Sequence, residues 1–154
     1  MKKYLRYLVP AGLIALAVLI VVSRPGPPGL SEAELADIRA QAKALSKEEL
    51  RATLEQLVME QRPLLPRTLD NELTMLEVEA RDLTLEIRLQ LPSSHRSMNV
   101  VTLGNHLKDV ALDLCQQPRF RLVLEAGVVV MEAYEHADGR HLRYNRISKD
   151  SCRA

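Results

Sequence analysis

Cys115 and Cys152 are the only two cysteines of the chain, and His136 and His141 flank a turn signal at Asp138-Gly139. A thiol can serve as a nucleophile, a redox partner, a metal ligand or half of a disulfide. A thiol–disulfide redox pair usually sits in a Cys-x-x-Cys spacing, which is absent here. A nucleophilic thiolate needs a neighbouring base or cation, which the surrounding sequence does not supply. Two cysteines in an exported chain pair with each other as a structural disulfide, and export is argued below. The histidines raise the question of a metal. If Asp138 and Gly139 form a two-residue turn, His136 opposes His141 across the hairpin. Glu135 then points to the opposite face, so the ligand count stops at two, whereas zinc takes three or four protein ligands. His95 in a polar loop and His106 on a helix have no identifiable partner and read as surface histidines. Asp109 and Asp113 lie four apart, as the solvated side of an amphipathic helix does. There is no Ser-His-Asp order and no glycine-rich phosphate loop. These residues point to no catalytic group, no metal and no cofactor, and the chain reads as a non-enzyme.

The elements that position these residues begin with the compartment. Lys2, Lys3 and Arg6 precede an uncharged stretch from Tyr7 to Ser23, which Arg24 ends. As a helix that stretch is about 25 Å long, slightly short of the ~30 Å hydrocarbon core, and flanking basic residues can close the gap. Three basic residues before the span and one after it place the N-terminus in the cytoplasm. Residues 1–24 are therefore expected to anchor the chain in the inner membrane through residues 7–23, as a single pass with a periplasmic C-terminal domain. Cleavage as a signal peptide is the competing reading, with Val21-Val22-Ser23 a poor site. Both export the domain. Residues 25–30, rich in Pro and Gly, form a stiff spacer, and residues 31–154 the domain.

The chain has 154 residues, 47% of them apolar, and a formal net charge of +1. That supports one domain with a real core. It supplies no field to collect nucleic acid. With Phe120 and four tyrosines as the only aromatics, and no Trp, stacking platforms for bases are not expected either.

Ser31 with Glu34, and Ser46 with Glu49, are two successive capping boxes. They predict helices over about Glu32–Leu45 and Lys47–Gln61, together a helical hairpin. Leu73–Ala80 reads as a strand, and Leu83–Leu91 alternates apolar and polar residues without a break, giving one dry face and one wet face. Arg81-Asp82 is the expected turn between them. A third helix spans about Asn99–Gln116, with Val100, Leu103, Leu107, Val110, Ala111 and Leu114 at helical spacing and its interior weakened by Gly104. Phe120–Leu124 fits either a short helix after Pro118 or a strand. The last hairpin pairs Val128–His136 with His141–Ser148. On the two-residue turn, Met131, Ala133, Leu142 and Tyr144 face the core. Glu132, Tyr134, His136, His141, Arg143 and Asn145 then share the wet face, while a three-residue loop with a bulge would shift the pairing by one. The expected class is α+β: an N-terminal transmembrane helix, then a helical hairpin, two antiparallel β-hairpins and an intervening helix forming a sheet covered by helices on one face, with one disulfide.

The run Cys115…Pro118, Gly127, Tyr134, Asp138-Gly139 and Asp150…Cys152, after a Leu-rich strand pair and a helix, resembles small exported proteobacterial α+β domains of undefined function. The resemblance covers about residues 66–152 and implies a fold and a compartment, with no catalytic residues to carry over. The expected function is a membrane-anchored periplasmic protein-interaction module. Its partner surface is placed on Tyr134, His136, His141 and Arg143, an aromatic, a cation and two switchable donors. The alternatives are a periplasmic inhibitor or immunity protein, and an assembly factor of an envelope secretion or pilus complex.

Overall fold

The computed structural model describes residues 29–69 and 72–153. The anchor read over residues 1–24 lies outside them. Among the described residues no helix is long and apolar enough to cross a membrane.

Helix α1 (Glu32–Ala44) and helix α2 (Lys47–Gln61) each start at a complete capping box. The Glu34 and Glu49 carboxylates accept from the Ser31 and Ser46 amides at 2.8 and 3.2 Å, and each Ser hydroxyl accepts from the Glu amide in return. Two donors that the first helical turn would leave unpaired are thereby satisfied. The two helices do not form the expected hairpin. Instead α1 packs on the later helix α4 (Pro118–Glu125), and α2 packs on strand β2 (Thr74–Arg81). The cause is the apolar stripe of α2, Leu50, Leu54, Leu57 and Val58, all of which enter the sheet core, leaving α1 to cover α4 with Ile38 and Ala42.

A short turn at Arg62–Leu64 leads into the two-residue strand β1 (Arg67–Thr68), which the sequence pattern did not mark. Strands β2 and β3 (Thr84–Gln90) form the first hairpin. Its turn is Asp82-Leu83, one residue later than expected, with Arg81 paired to Thr84. Asp82 adopts a left-handed backbone (φ 55), which Asp tolerates better than Arg does. Helix α3 (Val100–Cys115) is capped by the Asn99 side chain, which accepts from the Thr102 amide at 2.9 Å. Phe120–Leu124 is helical: α4 begins at Pro118, where the missing amide costs nothing, and stops at Gly127 (φ 103). Strands β4 (Val129–Glu135) and β5 (His141–Ile147) and a closing turn, Lys149–Arg153, complete the chain.

The strands form one sheet in the order β1-β2-β3-β4-β5. All pairs are antiparallel except β3 with β4, which run parallel. That parallel pair requires a crossover, and α3 and α4 provide it. Leu85, Ile87 and Leu89 of β3 face the same side as Val130, Glu132 and Tyr134 of β4, and the helices cover that side. The opposite side of the sheet is open. The bridge between Cys115 and Cys152 ties the end of α3 to the closing turn. Arg121, buried on α4, pairs with Glu125 at 2.9 Å and donates to the Cys152 carbonyl at 3.3 Å, fastening the same turn from a second direction.

Candidate functional site

The four residues expected to form one wet partner surface are divided between two faces of the sheet. Tyr134 is 3% exposed and lies on the covered side. Its partner across the ladder, Arg143, lies on that side as well, half-buried over α3. The expected inside and outside of this hairpin are therefore reversed: Tyr134, Glu132, Arg143 and Asn145 face the helices, while Met131, Ala133 and Tyr144 face outward. Locally the two sets are nearly balanced in apolar content. The decision is made by β3, whose unbroken Leu-Ile-Leu side must be dry, because the parallel register puts Leu89 beside Tyr134 and Ile87 beside Glu132.

The hairpin tip departs from the two-residue turn as well. The Gly139 amide donates to the His136 carbonyl, and the His136 amide donates to the Arg140 carbonyl, both at 2.9 Å. This is a three-residue loop, with Gly139 in the left-handed region (φ 83). Register then shifts between Tyr134 and Glu135, so that His141 pairs with Glu135 and Leu142 is the extra residue. His136 and His141 are consequently not opposite each other. Among the described residues no group of three or more His, Cys, Asp or Glu could hold a metal. The bulge also moves His141 to the open face, where its ring lies 4.3 Å from that of Tyr144.

On the covered side Glu132 is a buried carboxylate. Its Oε2 accepts from the Tyr134 hydroxyl at 3.0 Å and from Asn145 Nδ2 at 2.9 Å. Burial pushes the Glu132 carboxyl above its ordinary value, against the two hydrogen bonds, which lower it. Burial, followed by the charge of Glu132, pushes the Tyr134 hydroxyl well above its own. For a carboxyl raised in the folded state, the stabilising contribution is complete below the unfolded value of about 4.3. It is lost as pH rises through the folded value. Glu132→Gln, which keeps an acceptor and cannot ionise, is expected to gain stability relative to the unaltered chain as pH rises, because it removes the cost of the buried charge. It is also expected to flatten the fall of the urea midpoint as pH rises above about 4. An unchanged pH dependence would mean that Glu132 is not the group responsible.

Arg143 rests on Gly104, where a Cβ would come within 2.6 Å of its Nη1, and Nη1 donates to the Val100 carbonyl at 3.4 Å. The glycine that weakens α3 by sequence is thus the seat of the Arg143 guanidinium. Beside it Val100, expected in the buried stripe, is 45% exposed.

The open face holds a groove of 380 Å³ with Met131, Ala133 and Tyr144 among its lining residues. Tyr144 is 65% exposed. On the β2–β3 side the groove is rimmed by Glu77, Glu79, Arg81, Glu86 and Arg88. Arg81 lies 3.1 Å from Glu79 and 3.8 Å from Glu86, and Arg88 lies 3.4 Å from Glu77 and 3.9 Å from Glu135. Such a surface offers an apolar strip beside paired charges, which is what a contact with another polypeptide uses. In sequence the β3 half of it was legible as the wet side of an alternating strand. The β4 and β5 half was hidden by the balanced pattern.

No protein-family model matches the sequence, and no curated protein matches it. Solved structures do. The pilotin EpsS of the Vibrio vulnificus type 2 secretion system superposes with a TM-score of 0.58 at 13% identity, over 70% of this chain and 96% of EpsS. The type II secretion system pilotin AspS of Vibrio cholerae gives 0.55 at 17%, over 72% of this chain and 99% of AspS. This chain shares their fold. A candidate secreted protein of Pseudomonas aeruginosa gives 0.57 at 18% identity, over 70% of this chain and 96% of its own length. The neighbours are thus small α+β proteins of secretion systems and of the secreted class, in keeping with the exported domain to which the sequence bears a resemblance.

Proposed function

We propose that this chain is an exported assembly factor of an envelope secretion complex. It acts by binding a protein subunit of that complex, and residues 7–23 hold it at the inner membrane with its domain in the periplasm. The observation that supports this reading most is the fold shared with two type II secretion pilotins over 96% and 99% of their lengths. The disulfide fits an oxidising compartment, and the open, part-apolar sheet face offers a surface for a protein partner. This reading favours the assembly role over a generic interaction module.

The test is crosslinking and capture from intact envelopes. Two tagged forms are compared: the full chain, and residues 31–154 exported behind a cleavable leader. The expected result is recovery of subunits of one membrane-associated complex by the full chain, with much weaker recovery by the form lacking its anchor. Equal capture by both forms of a single soluble protein would favour the inhibitor or immunity role and set the proposal aside.

A further inference from the structure

We infer that the open-face groove is the partner-binding site and that it receives a basic, apolar segment, one in which Lys or Arg alternates with aliphatic side chains. This rests on the assembly-factor reading and adds the chemistry of the partner. The register of four strands lays the groove out in two rows. Glu77, Arg88, Ala133 and Tyr144 are successive partners across β2, β3, β4 and β5, and Glu79, Glu86, Met131 and Arg146 are successive partners in the next row. Glu79 and Glu86 are thus directly opposed on antiparallel strands. Like charges in that position are destabilising, and a solvated face has no folding reason to keep them. A single guanidinium, that of Arg81, serves both, and it is itself largely exposed.

The same shortage recurs beside it, where Arg88 is shared between Glu77 and Glu135. Four carboxylates therefore meet two guanidiniums. Arg146, at the far end of the second row, donates to the Ser148 hydroxyl at 3.2 Å, and with it counted the face still carries an excess of one negative charge. A cation arriving between Glu79 and Glu86 completes the pairing that Arg81 supplies only in part. One residue further along the row it meets Met131, with Ala133 and Tyr144 beside it, which would take the aliphatic side chains of the segment. The chain's overall charge is +1, so this acidic excess is local to the groove.

The experiment uses the full chain in nanodiscs of zwitterionic phosphatidylcholine and two fluorescein-labelled peptides of equal length, one alternating Lys and Leu, the other Glu and Leu. Fluorescence anisotropy reads binding. The expected result is at least tenfold tighter binding of the Lys-Leu peptide, weakened by raising the salt. Glu79→Gln with Glu86→Gln should remove that preference, and Tyr144→Ala should weaken the Lys-Leu peptide while keeping its advantage. All three side chains lie on the open face, Glu79 and Glu86 part-exposed and Tyr144 exposed, and circular dichroism with an unfolding curve would show that each variant remains folded. Equal binding of the two peptides, or an unaltered preference in the Glu79/Glu86 double variant, would overturn the groove assignment. Capturing envelope subunits with that double variant separates the two proposals. Undiminished capture overturns the groove and leaves the assembly role standing. Peptide selectivity without capture of any complex by the unaltered chain supports the groove and overturns the assembly role.

Discussion

Replacing both cysteines, Cys115→Ser with Cys152→Ser, is expected to lower the stability of the domain by about 4 kcal/mol, the chain-entropy value for a loop of this length. The bridge closes a separation of 37 residues that contains α4, β4 and β5. Without it, the unfolded chain regains the freedom of that loop. In the folded state Cys115 is buried among core residues, so serine there also loses apolar contacts and buries a hydroxyl. Urea unfolding of the oxidised protein and of the double variant measures the difference. A loss under about 1 kcal/mol would show that the closing turn is held by other contacts and that the disulfide adds little.

Arg121→Met is expected to cost about 3 kcal/mol, the lower end of what breaking a buried ion pair costs. The Arg121 and Glu125 side chains are 6% and 14% exposed. Methionine fills much of the aliphatic volume but leaves Glu125, among the described residues, with only Arg39, 3.7 Å away and half exposed, and it removes the Arg121 donor from the Cys152 carbonyl. Pairing it with Glu125→Leu should recover most of the loss, because an apolar pair carries no desolvation penalty. Since Arg121 and the disulfide hold the same turn, their effects should not add. Arg121→Met in the cysteine-free background should cost less than in the oxidised protein, and a double-mutant cycle on urea midpoints reads that coupling directly. Strict additivity would mean that the two contacts stabilise the turn independently.

What could be read before the structure follows from how local each signal is. The capping boxes at Ser31 and Ser46 involve residues three apart, and both formed. The alternation of β3 and the stripe of α3 repeat over many residues, and both bury the expected set apart from Val100 at the helix start and Leu83, part-buried in the hairpin turn. The last hairpin failed because its two sides compete closely: Val130, Tyr134 and Ile147 against Met131, Ala133 and Leu142. Only a non-local contact, the parallel pairing of β3 with β4, breaks the tie, and it does so at the cost of burying Glu132. Sequence also hid the departure of α1 to α4, since an amphipathic helix does not state which partner covers it. Arg121 gave no local sign of burial for a related reason: its neighbour four residues on, Glu125, resembles any solvated helical ion pair. For the site, the acidic rim from β3 was visible as a wet strand face. Its apolar strip on β4 and β5 reads locally as core, and Tyr144 rather than the buried Tyr134 supplies the aromatic of that surface.

Assembly is tested most directly by the size distribution of envelope complexes in the cell of origin, resolved on native gels and identified by mass spectrometry. Envelopes with and without this chain would be compared. The assembly-factor reading predicts that one secretion-type complex falls from its full size to free subunits when the chain is absent. Full size should return with the unaltered chain, but not with a chain whose residues 1–30 are replaced by a cleavable leader. Unchanged abundance and size of every envelope complex in the absence of the chain would contradict it.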